Sequence, residues 1–230
     1  MSKLVVANFK MNGSRDFIES WIKDFSAEEE SNNEILIALP STYLSIFKGK
    51  GLTLSGQNVS NKKSGAFTSQ ISAQILKDCG VEYCLIGHSE TRKFLNETNE
   101  IIKEKFDQLK HECIQPIICI GEPLHIKEAS KTVDFLSDQL ELIDSDQDEL
   151  IFAYEPIWAI GTGLIPEISD IQQAIDCIRD RFQKSIKVLY GGSVNSSNAA
   201  DISNKTDIDG LLVGGASLNP KEFAKIAQLC

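Results

Sequence analysis

The sequence lacks a long apolar run. Four apolar residues separate Lys3 from Asn8, too few for a signal-peptide core, and no later stretch approaches the roughly 18–20 residues of a membrane-spanning helix. Paired cysteines are also missing. Cys79, Cys84, Cys113, Cys119, Cys177 and Cys230 are scattered without a C-x-x-C pair, so they are expected to be reduced, mostly core-filling thiols in a cytoplasmic protein. Positive charge is scarce: 23 basic against 33 acidic residues leave a net charge of −10, which argues against nucleic-acid and anionic-membrane partners because both need a basic face. The nucleotide-binding loops are absent. No G-x-x-x-x-G-K-[ST] occurs, and the turn after the first apolar run, Asn8-Phe9-Lys10-Met11-Asn12-Gly13, has no G-x-G-x-x-G. The three histidines, His88, His111 and His125, have no metal-ligand spacing, and no metal is expected. With no low-complexity linker or compositional break, residues 1–230 read as one domain.

What is present is an alternation. Short apolar runs lie at residues 4–7, 35–39, 52–54, 83–86, 116–120, 150–154, 186–190 and 209–213, with starts on average about 29 residues apart. Most are too continuous for strands with one wet face, so they read as buried strands of a parallel sheet. The spacing suits a strand–crossover–strand unit of about 30 residues. Helical stripes fill the gaps: Phe17, Ile18, Trp21, Ile22 and Phe25; Ile102, Phe106 and Leu109; Val133, Leu136, Leu140 and Ile143. A fourth runs from Ile168 through Ile171, Ala174, Ile175 and Ile178 to Phe182, with Ser169 and Gln172 expected to form a capping box. Eight such units fit an open doubly wound sheet or a closed (β/α)8 barrel. The barrel fits better, because its usual size is about 250 residues and the open sheet's glycine turn is missing.

In such a barrel the chemistry sits at the C-terminal strand ends. Those ends carry Asn8 and Lys10, Gln57 and Asn58, Gly87-His88-Ser89-Glu90, Gly121-Glu122, Glu155-Pro156, Tyr190-Gly191-Gly192-Ser193 and Gly214-Gly215. Glu155 follows a strand directly; at the rim of an apolar tube its pKa is expected to rise, which would suit a general base. Singly, Glu155 also fits an exposed strand-end acid, His88 a structural histidine and Lys10 a solvated lysine. Their convergence on one face favours a site. The glycines after the seventh and eighth strands let backbone N–H groups approach an anion, and a short helix near Gly215 would add its dipole. The apolar stretch Ile157-Trp158-Ala159-Ile160 is expected to belong to a loop that closes over the site.

Six stretches now stand in order along the chain: Asn8-Phe9-Lys10-Met11-Asn12, Gly87-His88-Ser89-Glu90, Cys119-Ile120-Gly121-Glu122, Tyr154-Glu155-Pro156-Ile157-Trp158-Ala159-Ile160-Gly161-Thr162-Gly163, Tyr190-Gly191-Gly192-Ser193 and Val213-Gly214-Gly215-Ala216-Ser217. Together they resemble the triosephosphate isomerase family. The resemblance implies a (β/α)8 barrel that interconverts dihydroxyacetone phosphate and D-glyceraldehyde 3-phosphate through an enediolate, in glycolysis and gluconeogenesis, without a cofactor. It gives Glu155 the role of base, His88 that of a neutral imidazole polarising the carbonyl, and Lys10 that of a cation offsetting enediolate charge. Asn8 would touch substrate, and Gly161, Ser193, Gly214 and Gly215 would hold its phosphate.

The resemblance also implies a homodimer built through the loop Gly65-Ala66-Phe67-Thr68-Ser69-Gln70-Ile71-Ser72, with Thr68 reaching the neighbour's site. Where the family usually has Gly-Glu, this chain has Ser69-Gln70; the expected partner across the interface, Arg92, could then receive only a neutral hydrogen bond. Pro156 and Pro166 bracket the lid, and a fixed φ at Pro166 is expected to restrict its closure. Two other readings stand beside this one: another phosphate-binding barrel enzyme, such as a phosphosugar epimerase or synthase, and a catalytically silent barrel. The first has no reason to combine Lys10, His88, Glu155 and Trp158, and the second would be expected to have lost one of them.

Overall fold

Runs that are apolar on both faces can only be buried on both faces, and the fold does this by closing the sheet on itself. The computed structural model describes residues 2–144, 147–160, 164, 166–182 and 186–230. Eight parallel strands, β1 (Leu4–Asn8), β2 (Glu34–Ala38), β3 (Thr53–Gly56), β4 (Val81–Ile86), β5 (Gln115–Ile120), β6 (Leu150–Tyr154), β7 (Ile186–Tyr190) and β8 (Gly210–Val213), pair in sequence order. β8 returns to β1, with Val5 opposite Leu211, and the barrel is closed. All eight apolar runs are strands, with ends within two residues of expectation.

The two faces of each strand except β3 enter two separate apolar clusters. One lies inside the barrel and takes Leu4, Val6, Leu36, Ala38, Leu85, Ile117, Cys119, Ile151, Ala153, Leu189 and Leu212. The other, larger cluster lies between the strands and the surrounding helices and includes Val5, Ala7, Ile37 and Phe152. Successive residues of a strand point to opposite faces. The interior set therefore continues upward, two residues on, to Asn8, Gly121, Glu155, Gly191 and Gly214. The uppermost inward layer thus has a carboxylate, a carboxamide and glycines where lower layers have branched apolar side chains.

The helices pack as their stripes require. Arg15–Glu28 buries Ile18, Trp21 and Phe25, and Trp21 stacks on Phe25 with ring centroids 4.8 Å apart. Two stripe positions, Phe17 and Val133, lie at the surface. The expected capping box does not form. The helix Ile168–Arg181 starts one residue before Ser169, its cap is Glu167, and no side chain caps it. Ser169 is already inside the first turn, where its hydroxyl cannot act as an N-cap. Among the described residues no helix is long and apolar enough to cross a membrane.

Candidate active site

The C-terminal strand ends enclose a cavity of about 230 Å³ whose wall includes Asn8, Lys10, His88, Glu155, Ser193, Gly214 and Gly215. Seven of the eight expected site residues thus meet in one place. The eighth, Gly161, lies outside the described residues.

Glu155 is almost fully buried, at 2 % exposure. Its main chain continues the β5–β6 ladder, with its N–H donating to the Ile120 carbonyl at 2.7 Å, so the carboxylate sits one inward step above Ala153. Oε1 lies 3.0 Å from His88 Nε2, and Oε2 accepts the Ser89 N–H at 3.2 Å. Space for this side chain comes from the neighbouring strand: a Cβ on Gly191 would stand 2.9 Å from Glu155 Cγ. Gly191→Ala is therefore expected to push the carboxylate out of place and lower kcat by about ten- to a hundredfold, the cost of a displacement near 1 Å. Steady-state kinetics check this, and a kcat unchanged within twofold would show that Gly191 does not shape the site.

His88 is 5 % exposed and follows the turn that ends β4. Its Nδ1 accepts the Glu90 N–H at 3.2 Å, which places the ring proton of the neutral form on Nε2, facing Glu155. Burial lowers the tendency of the ring to protonate, but the charge and hydrogen bond of Glu155 more than offset it, and the pKa lies above the ordinary histidine value.

Lys10 is not a solvated surface lysine. Its Nζ lies 2.7 Å from Glu90 Oε1, and the side chain is three-quarters buried. The backbone of Lys10 is left-handed, at φ 50°, a conformation costly for a residue with a side chain. Two side chains hold it there: Asn8 Oδ1 accepts the Lys10 N–H at 3.0 Å, and Gln57 Nε2 donates to the Lys10 carbonyl at 2.9 Å. Asn8 thus positions Lys10 as well as lining the cavity, and Gln57 acquires a role that its place at a strand end had not disclosed.

At the opposite wall, Asn198 Nδ2 donates to the Ser193 carbonyl at 2.9 Å and fixes the glycine turn after β7. A short 3₁₀ turn, Gly215–Leu218, opens after β8 with Gly214 as its cap. The first N–H groups of such a turn have no partner within it, which suits an anion.

The apolar stretch after Glu155 does not stand open. Ile157–Ala159 is a 3₁₀ turn packed on the barrel, with Ala159 buried and the Ile157 N–H donating to the Glu122 carbonyl at 3.1 Å. Trp158 Nε1 and the Tyr154 hydroxyl donate to Glu122 Oε1 at 2.9 and 3.2 Å. Glu122 is wholly buried, and burial raises its carboxyl pKa. The sequence placed Glu122 at a strand end but assigned it no task.

Arg92 makes three contacts within its own chain: to the Gly87 carbonyl at 2.8 Å, Asn99 Oδ1 at 2.8 Å and the Cys119 carbonyl at 3.3 Å. These use three of the five N–H donors of the guanidinium. Gln70 accepts a hydrogen bond from Ser60 within its own loop. Thr68 is exposed.

Among the described residues no grouping of three or more His, Cys, Asp or Glu side chains could hold a metal. The family model described as triosephosphate isomerase matches residues 3–230. The triosephosphate isomerases of Debaryomyces hansenii and Alkaliphilus oremlandii are each 40 % identical to this chain, with 97 % of it aligned to 96 % and 97 % of theirs. That of Shewanella oneidensis is 36 % identical over 98 % of this chain and 96 % of its own. A match of this length, together with a closed barrel carrying its polar groups at one mouth, places the chain in the triosephosphate isomerase family.

Proposed function

We propose that Glu155, His88 and Lys10 carry out the reaction of this isomerase, the interconversion of dihydroxyacetone phosphate and D-glyceraldehyde 3-phosphate. The observation that carries the assignment is the 3.0 Å contact between Glu155 and His88 in a cavity that also holds Lys10 and the glycine turns. A buried carboxylate beside a ring N–H is a base next to an electrophile, and in the free protein each satisfies the other. Substrate entering between them gives each a new partner. Glu155 removes a proton from the carbon next to the carbonyl, while His88 Nε2–H stabilises the oxygen on which negative charge grows. Lys10 offsets the enediolate charge, His88 passes the hydroxyl proton from one oxygen to the other, and Glu155 returns the carbon-bound proton to the neighbouring carbon. Base and oxyanion donor are each worth about 10²–10³-fold or more. The phosphate sits on the N–H groups of Ser193, Gly214 and Gly215, joined by Gly161. Burial of the reacting carbons keeps water from the enediolate.

A coupled assay that follows dihydroxyacetone phosphate formed from glyceraldehyde 3-phosphate tests the reading. Turnover is expected, and its absence in purified, folded protein would refute it.

The protein is further proposed to act as a homodimer in the cytoplasm, where its six free thiols remain reduced. Met11, Phe94 and Leu95 are 96, 68 and 62 % exposed on one protomer, and Phe67 beside Thr68 is 42 % exposed. Single exposed apolar residues are ordinary, but Leu95 lines a groove with Ser69 and Gln70 close in sequence to exposed Phe67, and such a group calls for cover. With Gln70 and Arg92 both engaged internally, the association is expected to rest on apolar contact and to be nearly independent of salt between about 0.05 and 0.5 M. Sedimentation at micromolar concentration checks this. A fully active monomer would remove Thr68 from the neighbour's site, and a dimer dissociated by salt would remove the apolar account.

A further inference from the structure

Arg92 takes no part in the chemistry above, yet it grips the turn that carries His88. β4 ends at Ile86, Gly87 turns the chain at φ 69°, and His88 caps the short helix Ser89–Phe94. One turn into that helix, the Arg92 guanidinium folds back. Nε donates to the carbonyl of Gly87, immediately before His88, at 2.8 Å; Nη2 donates to the Cys119 carbonyl near the end of β5 at 3.3 Å. Nη1 donates to Asn99 Oδ1 at 2.8 Å, which ties the group to the start of the helix Asn99–His111. The approach is so close that a Cβ on Gly87 would lie 3.1 Å from the Cys119 oxygen and 3.2 Å from Arg92 Nη2.

We propose that Arg92 is a positioning residue for His88: its planar fork clamps the carbonyl preceding the imidazole to the end of β5 and so sets the distance from Nε2 to Glu155. This rests on the reading that His88 acts on the substrate oxygen. The fork is what the site requires. It offers five donors in fixed directions, and here three nitrogens reach acceptors on three different elements, whereas a lysine ammonium is a single point that cannot span them. The main-chain carbonyls of Gly87 and Cys119 are themselves buried and need donors. The acidic groups and thiol around the guanidinium are Glu97, Glu155, Asp138 and Cys119. Those around the imidazole are Glu155, Glu90 and Lys10, of which Glu155 contributes the largest push toward protonation. If the clamp is lost, the ring drifts from Glu155, and both catalysis and the ring's titration change together.

The test uses Arg92→Lys and Arg92→Gln in the full chain, with Asn99→Ala as a milder variant that leaves Arg92 in place but removes one of its acceptors. For the Arg92 variants, kcat is expected to fall about ten- to a hundredfold with KM within about threefold of wild type. The His88 ring, followed by ¹⁵N NMR without substrate, should titrate closer to the ordinary 6.5 than in wild type. Asn99→Ala should move both readouts the same way by less. A loss of thermal stability alone, with kcat and ring titration unchanged, would overturn the proposal. If the Arg92 variants fail to fold, unchanged kcat and titration in Asn99→Ala would do so. Glu155→Gln and His88→Leu measured alongside separate the two ideas. If those retain kcat, the assignment of the site fails; if only the Arg92 and Asn99 variants retain it, the clamp alone fails.

Discussion

Replacing Glu155 with glutamine is expected to lower kcat by about 10²–10⁴-fold, the range a positioned general base contributes. The carboxamide has nearly the same shape as the carboxylate but cannot accept a proton from carbon, so the chemical step loses its base while the cavity keeps its form. Ser193, Gly214 and Gly215, the proposed phosphate end of the site, follow other strands and should hold a phosphate-bearing inhibitor as before. A small stability cost, on the order of 1 kcal/mol, is also expected. The reason is that Glu155 accepts hydrogen bonds on both oxygens, from His88 and from Ser89, and a carboxamide accepts on only one. Steady-state kinetics, inhibitor affinity and thermal unfolding check the three parts separately. An unaltered kcat would remove Glu155 as the base. A large loss of inhibitor affinity would mean that the substitution disturbs more than the proton transfer.

His88→Leu is the second large effect. It removes the Nε2–H donor aimed into the cavity and should cost about 10²–10³-fold in kcat. It also leaves Glu155 Oε1 buried without its 3.0 Å partner, so unfolding should become easier by roughly 1–3 kcal/mol. In the wild-type protein the same contact makes a pH prediction. The folded pKa of His88 lies above the unfolded value of about 6.5 because the effect of Glu155 exceeds the effect of burial. Folding therefore takes up protons at this ring. The stability it contributes is present below about pH 6.5 and is lost as pH rises through the folded pKa. In the proposed mechanism the neutral ring acts, so kcat/KM should fall on the acid side with a midpoint above about 6.5. His88→Leu should abolish both the stability limb and the ring titration. An acid midpoint below 6.5 in the wild type would contradict the pairing with Glu155.

Particular elements show where reading from sequence succeeds and where it stops. The strand at 150–154 and the helix over Ile168–Arg181 are legible because burial on a strand or helix face repeats with a short, local period. The capping box at Ser169 was misplaced because one residue of shift at a helix start changes which hydroxyl is the cap, and the apolar stripe does not resolve one residue. Glu155 and His88 come together because strand ends in a barrel share one face. Glu90 lay in the same motif without a role, since nothing local ties it to Lys10, 80 positions away. Likewise Trp158 and Glu122 meet across 36 positions at a contact made by the β5–β6 pairing.

The lack of a long apolar run, the acidic balance and the eight short apolar runs, on average about 29 residues apart, were properties of the chain as written. The first two excluded membrane and nucleic-acid classes, and the runs with their polar ends favoured a barrel with its polar residues gathered at one mouth. Only the tertiary structure decided that Glu155 and His88 stand 3.0 Å apart, that Gly191 makes room for the carboxylate, and that the Arg92 guanidinium reaches the carbonyls of Gly87 and Cys119. The physical reason is one of range. The face a residue occupies is set by neighbours a few positions away, whereas the partner of a buried polar group is set by barrel closure and register, which bring together residues that share nothing in sequence.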